Sequence, residues 1–225
     1  MNEQCYKNVL SLHNQLPEAK LLVVNNNSTD KEYLDKLPST ITVEDNTYPN
    51  SYEAGALFYA FEKYEYDNYF LVQDSIEMYD CYEIADYITK DYEFVLTLNL
   101  MCPAAHMMTN QHKDFLKTNF KSLSSIIYMH PGIAMNSFIA KRHHIQKIID
   151  LGIFTQANLP KNKLGSECWE RVFGLSFHKS KIPMKTLQPS YSKQLMNSIP
   201  HLCYDRIIHL LKIRNKFNKT VLGRS

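Results

Sequence analysis

The sequence predicts a single α/β domain: a mostly parallel central sheet with helices on both faces. Three observations predict it. Helix-periodic and strand-like segments alternate through the first hundred residues, the pattern of strands joined by helical crossovers. The strand-like segments are short apolar runs that stop at polar clusters, as at Leu21–Val24 and Tyr69–Val72. Hydrophobic residues make up 44% of the 225 and charged residues 21%, enough for one sizeable core and against intrinsic disorder.

The elements follow in order. Residues 3–16 read as a helix with Val9, Leu10, Leu12 and Leu16 inward, ended by Pro17. Residues 20–24 form a strand that stops at Asn25-Asn26-Asn27-Ser28-Thr29-Asp30, where Asp30 can cap a short helix closed by Pro38. Residues 40–43 are β-branched and strand-like. Ser51 can cap a helix over 52–64, because Ala54, Leu57, Phe58 and Phe61 repeat on one face. A strand over 69–72 runs into Gln73-Asp74-Ser75. Asp80 and Glu83 then resemble a capping pair before a helix to about residue 89. Phe94–Leu98 is a fourth strand.

The second half is less regular. A strand is expected over 134–140 and a helix over 142–151. Residues 152–164 are polar and long enough to act as a lid. A short helix over 166–173 and a strand over 175–178 follow, separated by Gly174. The last segment, 201–225, reads as a basic amphipathic helix. It can lie on an anionic membrane surface or dock on the domain with its charges solvated.

Several classes are excluded. The six glycines spell neither a dinucleotide fingerprint nor a phosphate-binding P-loop. The five cysteines lie at 5, 81, 102, 168 and 203, without zinc-ribbon spacing, and read as thiols of a reducing compartment. The first residues carry no signal-peptide pattern and no run is long enough to span a bilayer, so a cytoplasmic protein is expected. A net charge of +2 gives no pull toward nucleic acid.

Three segments carry chemistry: Val23-Val24-Asn25-Asn26-Asn27-Ser28-Thr29-Asp30, Asn50-Ser51-Tyr52-Glu53-Ala54-Gly55-Ala56, and Tyr69-Phe70-Leu71-Val72-Gln73-Asp74-Ser75. In order and spacing they resemble the inverting GT-A glycosyltransferases over roughly residues 3–178. The resemblance implies one Rossmann-like nucleotide-diphospho-sugar transferase domain over 1–225. Residues 1–100 would bind the nucleotide and 101–200 the acceptor. It implies that Asn25, Asn26 and Asp30 hold the nucleoside. Asp74, with His178 as a second candidate, would bind Mn²⁺ or Mg²⁺, which neutralises charge on the departing diphosphate. Gln73 and Ser75 stand where a second carboxylate is common in the family. Glu167 or Glu170 would take the proton from the acceptor hydroxyl. The donor is expected to be a nucleotide sugar and the acceptor a glycan, protein or lipid.

Local alternatives stand beside these roles. The Asn-rich loop can be a capped turn, Asp74 a helix cap, and Glu167–Arg171 a surface pair of about 0.3–0.5 kcal/mol. His143-His144, at a helix start, lacks metal-ligand spacing and is expected to face solvent. The strand with which GT-A domains open has no counterpart before the first helix. A non-catalytic GT-A-like module is therefore one alternative to the transferase, and a sugar-phosphate nucleotidyltransferase another.

Overall fold

The computed structural model describes residues 3–28, 31–73, 76–78, 81–98, 100–101, 103–105, 107–187 and 208–210. It is a mixed α/β structure of helices and small sheets. In chain order the elements are α1 (Glu3–Gln15), β1 (Leu22–Asn25), β2 (Thr42–Asp45), α2 (Tyr52–Lys63), β3 (Asn68–Leu71), β4 (Ile76–Met78), α3 (Tyr82–Thr89), β5 (Val95–Thr97) and β6 (Leu100–Met101). There follow α4 (Asn110–Asn119), α5 (Lys121–Ser124), β7 (Gly132–Ile133), β8 (Phe138–Lys141), α6 (Arg142–Asp150), α7 (Lys163–Lys179), β9 (Met184–Thr186) and β10 (Ile208–Leu210). The chain forms two compact units interleaved in sequence: residues 1–46, 74–90 and 188–225, and residues 47–73 and 91–187.

In the first unit β1 and β2 pair in parallel, Val23 opposite Val43. The amphipathic α1 buries Cys5, Val9 and Leu12, spaced four and three residues apart on one face. Cys5 and Val9 join Val23, Tyr33, Leu34 and Ile41 in one apolar cluster. Ser11 and Gln15 of α1 donate hydrogen bonds to the Met78 carbonyl of β4. A short 3₁₀ turn, Leu34–Lys36, stands where a capped helix was expected before Pro38. Ile208–Leu210 pair antiparallel with β4. These three residues are extended, not helical as expected. The remainder of 201–225 lies outside the described residues.

The second unit is built on a four-stranded sheet of order β3-β8-β5-β9. β8 runs antiparallel to both β3 and β5, and β9 runs parallel to β5, so three strands share one direction and β8 opposes them. The expected mostly parallel sheet is corrected here: of the six strand pairings among the described residues, four are antiparallel. Apolar runs reveal strands but carry no direction.

Helix α7 passes through the core of this unit. Eleven of its seventeen residues are buried, so it is apolar on nearly all sides, as a core helix must be. Trp169, Phe173 and Phe138 pack edge to face or tilted, with centroids 4.9 Å apart for Trp169–Phe173 and 5.0 Å for Phe138–Phe173. The expected strand over 175–178 is absent. Leu175, Ser176 and Phe177 are buried helical residues, and Gly174 is no breaker. A Cβ there would lie 2.5 Å from the Pro131 carbonyl oxygen and 2.7 Å from Gly132 Cα. Glycine is present because the helix backbone seats directly on β7.

The Asn162 side chain accepts the Gly165 N–H at 2.9 Å and fixes where α7 begins. Asn162→Ala is expected to lower stability by about 1 kcal/mol, measured by urea unfolding. An unchanged midpoint would show that the cap contributes nothing. Ser51, by contrast, precedes α2 without a side-chain cap and donates to the Tyr48 carbonyl. The polar stretch 152–164 is packed down, with Ile153, Phe154 and Leu159 buried. Asn158 donates to the carbonyls of Gly152 and Ile153 and accepts from the Trp169 indole. It is a structured connection, not an open lid.

Candidate functional site

Asn25 ends β1, and its side chain acts within the fold. Its Oδ1 accepts the Ser28 N–H at 2.9 Å, closing the turn, and its Nδ2 donates to Asp45 Oδ1 on β2 at 2.5 Å. Asn27 turns the chain in the left-handed region, φ 67°. The Asn25 hydrogen bond, with Lys31 3.0 Å away, holds the Asp45 carboxyl below its usual pKa. Asn26 differs. It is 1% exposed, its Oδ1 accepts from Asn46, and its Nδ2 has no acceptor among the described residues. A buried amide donor without a partner suits a ligand oxygen. Asp30 and Asp74 lie outside the described residues.

In the second unit the carboxyl ends of β3 and β5 meet the amino end of β8, since Leu71 and Thr97 both oppose Phe138. Strand carboxyl ends are where α/β sheets place ligands. The chain enters β8 through Met135 and Asn136, both left-handed at φ 55° and 50°. Two successive non-glycine residues in that region store strain of about 1–3 kcal/mol each. The sequence predicts a strand through this stretch, and backbone sign has no signature in residue type beyond glycine and asparagine. Asn136 is buried, and its Oδ1 has no donor among the described residues. Its burial is not legible from residue type. An Asn after an apolar run was the available signal.

Glu170 supports that strained turn. Its Oε1 accepts the Met135 N–H at 3.2 Å and its Oε2 accepts from Arg171 at 2.9 Å, with 13% of the side chain exposed. Both oxygens are therefore engaged in holding structure.

Glu167, one helical turn earlier, is more accessible, with 36% of its side chain exposed. Its Oε2 lies 2.9 Å from His112 Nε2 and its Oε1 3.3 Å from Lys163 Nζ. His112 is set by a capping box at the start of α4, where the Thr109 N–H donates to its Nδ1. That bond leaves the proton of neutral His112 on Nε2, facing Glu167. Partial burial raises the Glu167 pKa, but the His112 hydrogen bond and the Lys163 charge outweigh it and hold the carboxyl below its usual value. Glu167 is therefore an ionised, solvent-reachable carboxylate in a fixed position. The neighbouring Cys168 is the opposite case: burial pushes its thiol up to about 12, which keeps it protonated and inert.

His178 sits in the last turn of α7, not at a strand end. Its ring stacks on His130 with centroids 3.3 Å apart, and burial followed by the His130 charge lowers its pKa. Among the described residues, the one group of three or more side chains able to share a metal ion is Glu93, His143 and His144, without His178. His144 is buried, contrary to the solvent-facing position expected, and burial pushes its pKa down to about 4. His143 is exposed, as expected.

The fold and these centres define the class of the molecule: a mixed α/β protein with a preset carboxylate, Glu167, on its core helix. No known protein family, curated protein or solved structure matches the chain. No helix among the described residues is long and apolar enough to cross a membrane.

Proposed function

We propose that this chain is a nucleotide-sugar-dependent glycosyltransferase of Rossmann-like GT-A type that inverts the anomeric centre. Glu167 is its general base. The observation that carries the proposal is the state of Glu167: ionised, reachable, and oriented by His112 and Lys163. In inverting transfer a carboxylate removes the acceptor's hydroxyl proton as that oxygen attacks the anomeric carbon, and the nucleoside diphosphate departs. Glu170 positions the Met135–Asn136 turn and takes no proton. In the first unit, the unsatisfied Asn26 amide supports a nucleoside contact, while Asn25 shapes the loop.

The resemblance also implies Mn²⁺ or Mg²⁺. His178 is half of a stacked imidazole pair with His130, and Asp74 lies outside the described residues. Asp74 is the residue to test first.

A second proposal, a module that binds nucleotide without turnover, is favoured by one observation. Both ends of the Asn25 amide, and both oxygens of Glu170, are occupied inside the fold.

The test is a thermal-shift screen of UDP-, GDP- and dTDP-sugars, with and without Mn²⁺, followed by an assay of nucleoside diphosphate release. One donor is expected to raise Tm and to release diphosphate slowly. At 100 times Kd the gain is about 2.7 kcal/mol. A metal-dependent part lost in Asp74→Ala would assign the ion to Asp74. Binding without release supports the module. No shift with any donor overturns both.

A further inference from the structure

A second cluster of chemistry-bearing side chains lies where β8 runs into α6. Glu93 stands on the turn before β5, and His143 and His144 open α6. The Glu93 Oε2 lies 3.1 Å from His143 Nε2 and 3.6 Å from His144 Nε2. One ligand atom from each of the three residues lies within 4.8 Å of the other two. Ligands of one tetrahedral zinc, with bonds of about 2.0–2.1 Å, are spaced about 3.3 Å apart. The two separations from Glu93 bracket that spacing, and the His143–His144 separation stays within 4.8 Å.

His144 adds an independent observation. It is 2% exposed, its Nδ1 makes no hydrogen bond, and its Nε2 stands beyond hydrogen-bond length from Glu93. A buried imidazole left without a hydrogen bond is uncommon and requires an explanation. An ion would give Nε2 a close partner, while Nδ1 stays unpaired among the described residues. Lys141 completes the arrangement from behind. Its Nζ lies 2.5 Å from Glu93 Oε1, and Asp91, 2.6 Å away, balances its charge. With Oε1 held, Oε2 is directed at the two rings, the role that outer partners play around metal ligands.

We propose that Glu93 Oε2, His143 Nε2 and His144 Nε2 form a three-ligand site for a borderline divalent cation of the zinc type. Two imidazoles and one carboxylate suit Zn²⁺, whereas Mg²⁺ and Mn²⁺ favour oxygen-rich sets. Glu93 and His143 are exposed, so the ion enters from solvent and a water completes its shell. Its binding ties the turn before β5 to the first turn of α6. The site is independent of glycosyl transfer.

The experiment uses the full chain, stripped with a chelator and titrated with Zn²⁺ by calorimetry, with Co²⁺ absorption reporting the coordination geometry. One equivalent of Zn²⁺ is expected to bind and to raise Tm, while Mg²⁺ at the same concentration does neither. Glu93→Gln and His143→Ala alter exposed side chains, so their folds are expected to persist. Each is expected to weaken Zn²⁺ binding by ~10-fold or more. Absence of stoichiometric binding in the wild type overturns the proposal. So does wild-type affinity in both variants.

Discussion

Gly174→Ala is expected to destabilise the protein by about 3 kcal/mol, against the ordinary effect of that substitution in a helix. Alanine is favoured over glycine in a helix interior by about 1 kcal/mol, so propensity predicts a gain. The added Cβ, however, would sit 2.5 Å from the Pro131 oxygen, 2.7 Å from Gly132 Cα and 2.9 Å from the Gly132 carbonyl carbon. All three are backbone atoms and cannot rotate away. Relief requires α7 to lift off β7, and α7 carries Trp169, Val172 and Phe173, all fully buried. In a chain of this size 3 kcal/mol corresponds to a fall in Tm of roughly 6–12 °C. Calorimetry or circular dichroism checks it. An unchanged or raised Tm would show that the helix and strand do not approach this closely.

Glu167→Gln is expected to lower the rate of donor turnover by about 10²–10⁴-fold, with donor binding retained. Glutamine keeps the size of the side chain and can still face His112, so the fold is expected to survive. What is lost is the anionic oxygen that accepts the proton. The pH profile gives a second readout. His112 and Lys163 depress the Glu167 pKa, so the wild type keeps its active carboxylate down to pH values below about 4.3, the usual glutamate value. Activity falls only as pH drops through the depressed value. His112→Ala removes one of those partners and is expected to move this limb to higher pH. Full activity in Glu167→Gln would remove Glu167 from the chemistry and turn attention to the acidic residues outside the described segments.

Much of the first hundred residues was legible in the sequence, because the signals there are local. The inward positions Val9 and Leu12 of α1, the face of α2 formed by Ala54, Leu57, Phe58 and Phe61, and the run ending at Asn25 follow from side-chain periodicity and polar stops, whereas Leu10 and Leu16, expected inward, are half-buried. Glu167 and Glu170 were named as candidate bases through the resemblance alone, and only their contacts tell the two apart.

Tertiary contacts decided the rest. Gly174 reads as punctuation until Pro131 and Gly132 are found against it, and only then do the segments on either side become one helix. The reversal of β8 depends on which strands flank it, and apolar runs carry no direction. Glu170 was separated from Glu167 by the backbone of a strained turn 35 residues away. His143 and His144 lack metal spacing along the chain, and Glu93, 50 residues from His143, supplies the third ligand. The sequence by itself determined where several elements of the first hundred residues lie and which residue types could do chemistry, because these rest on neighbours within a few positions. Which of those residues are free to act was decided by the fold alone. A side chain's accessibility and charge state depend on groups brought close in space from distant parts of the chain.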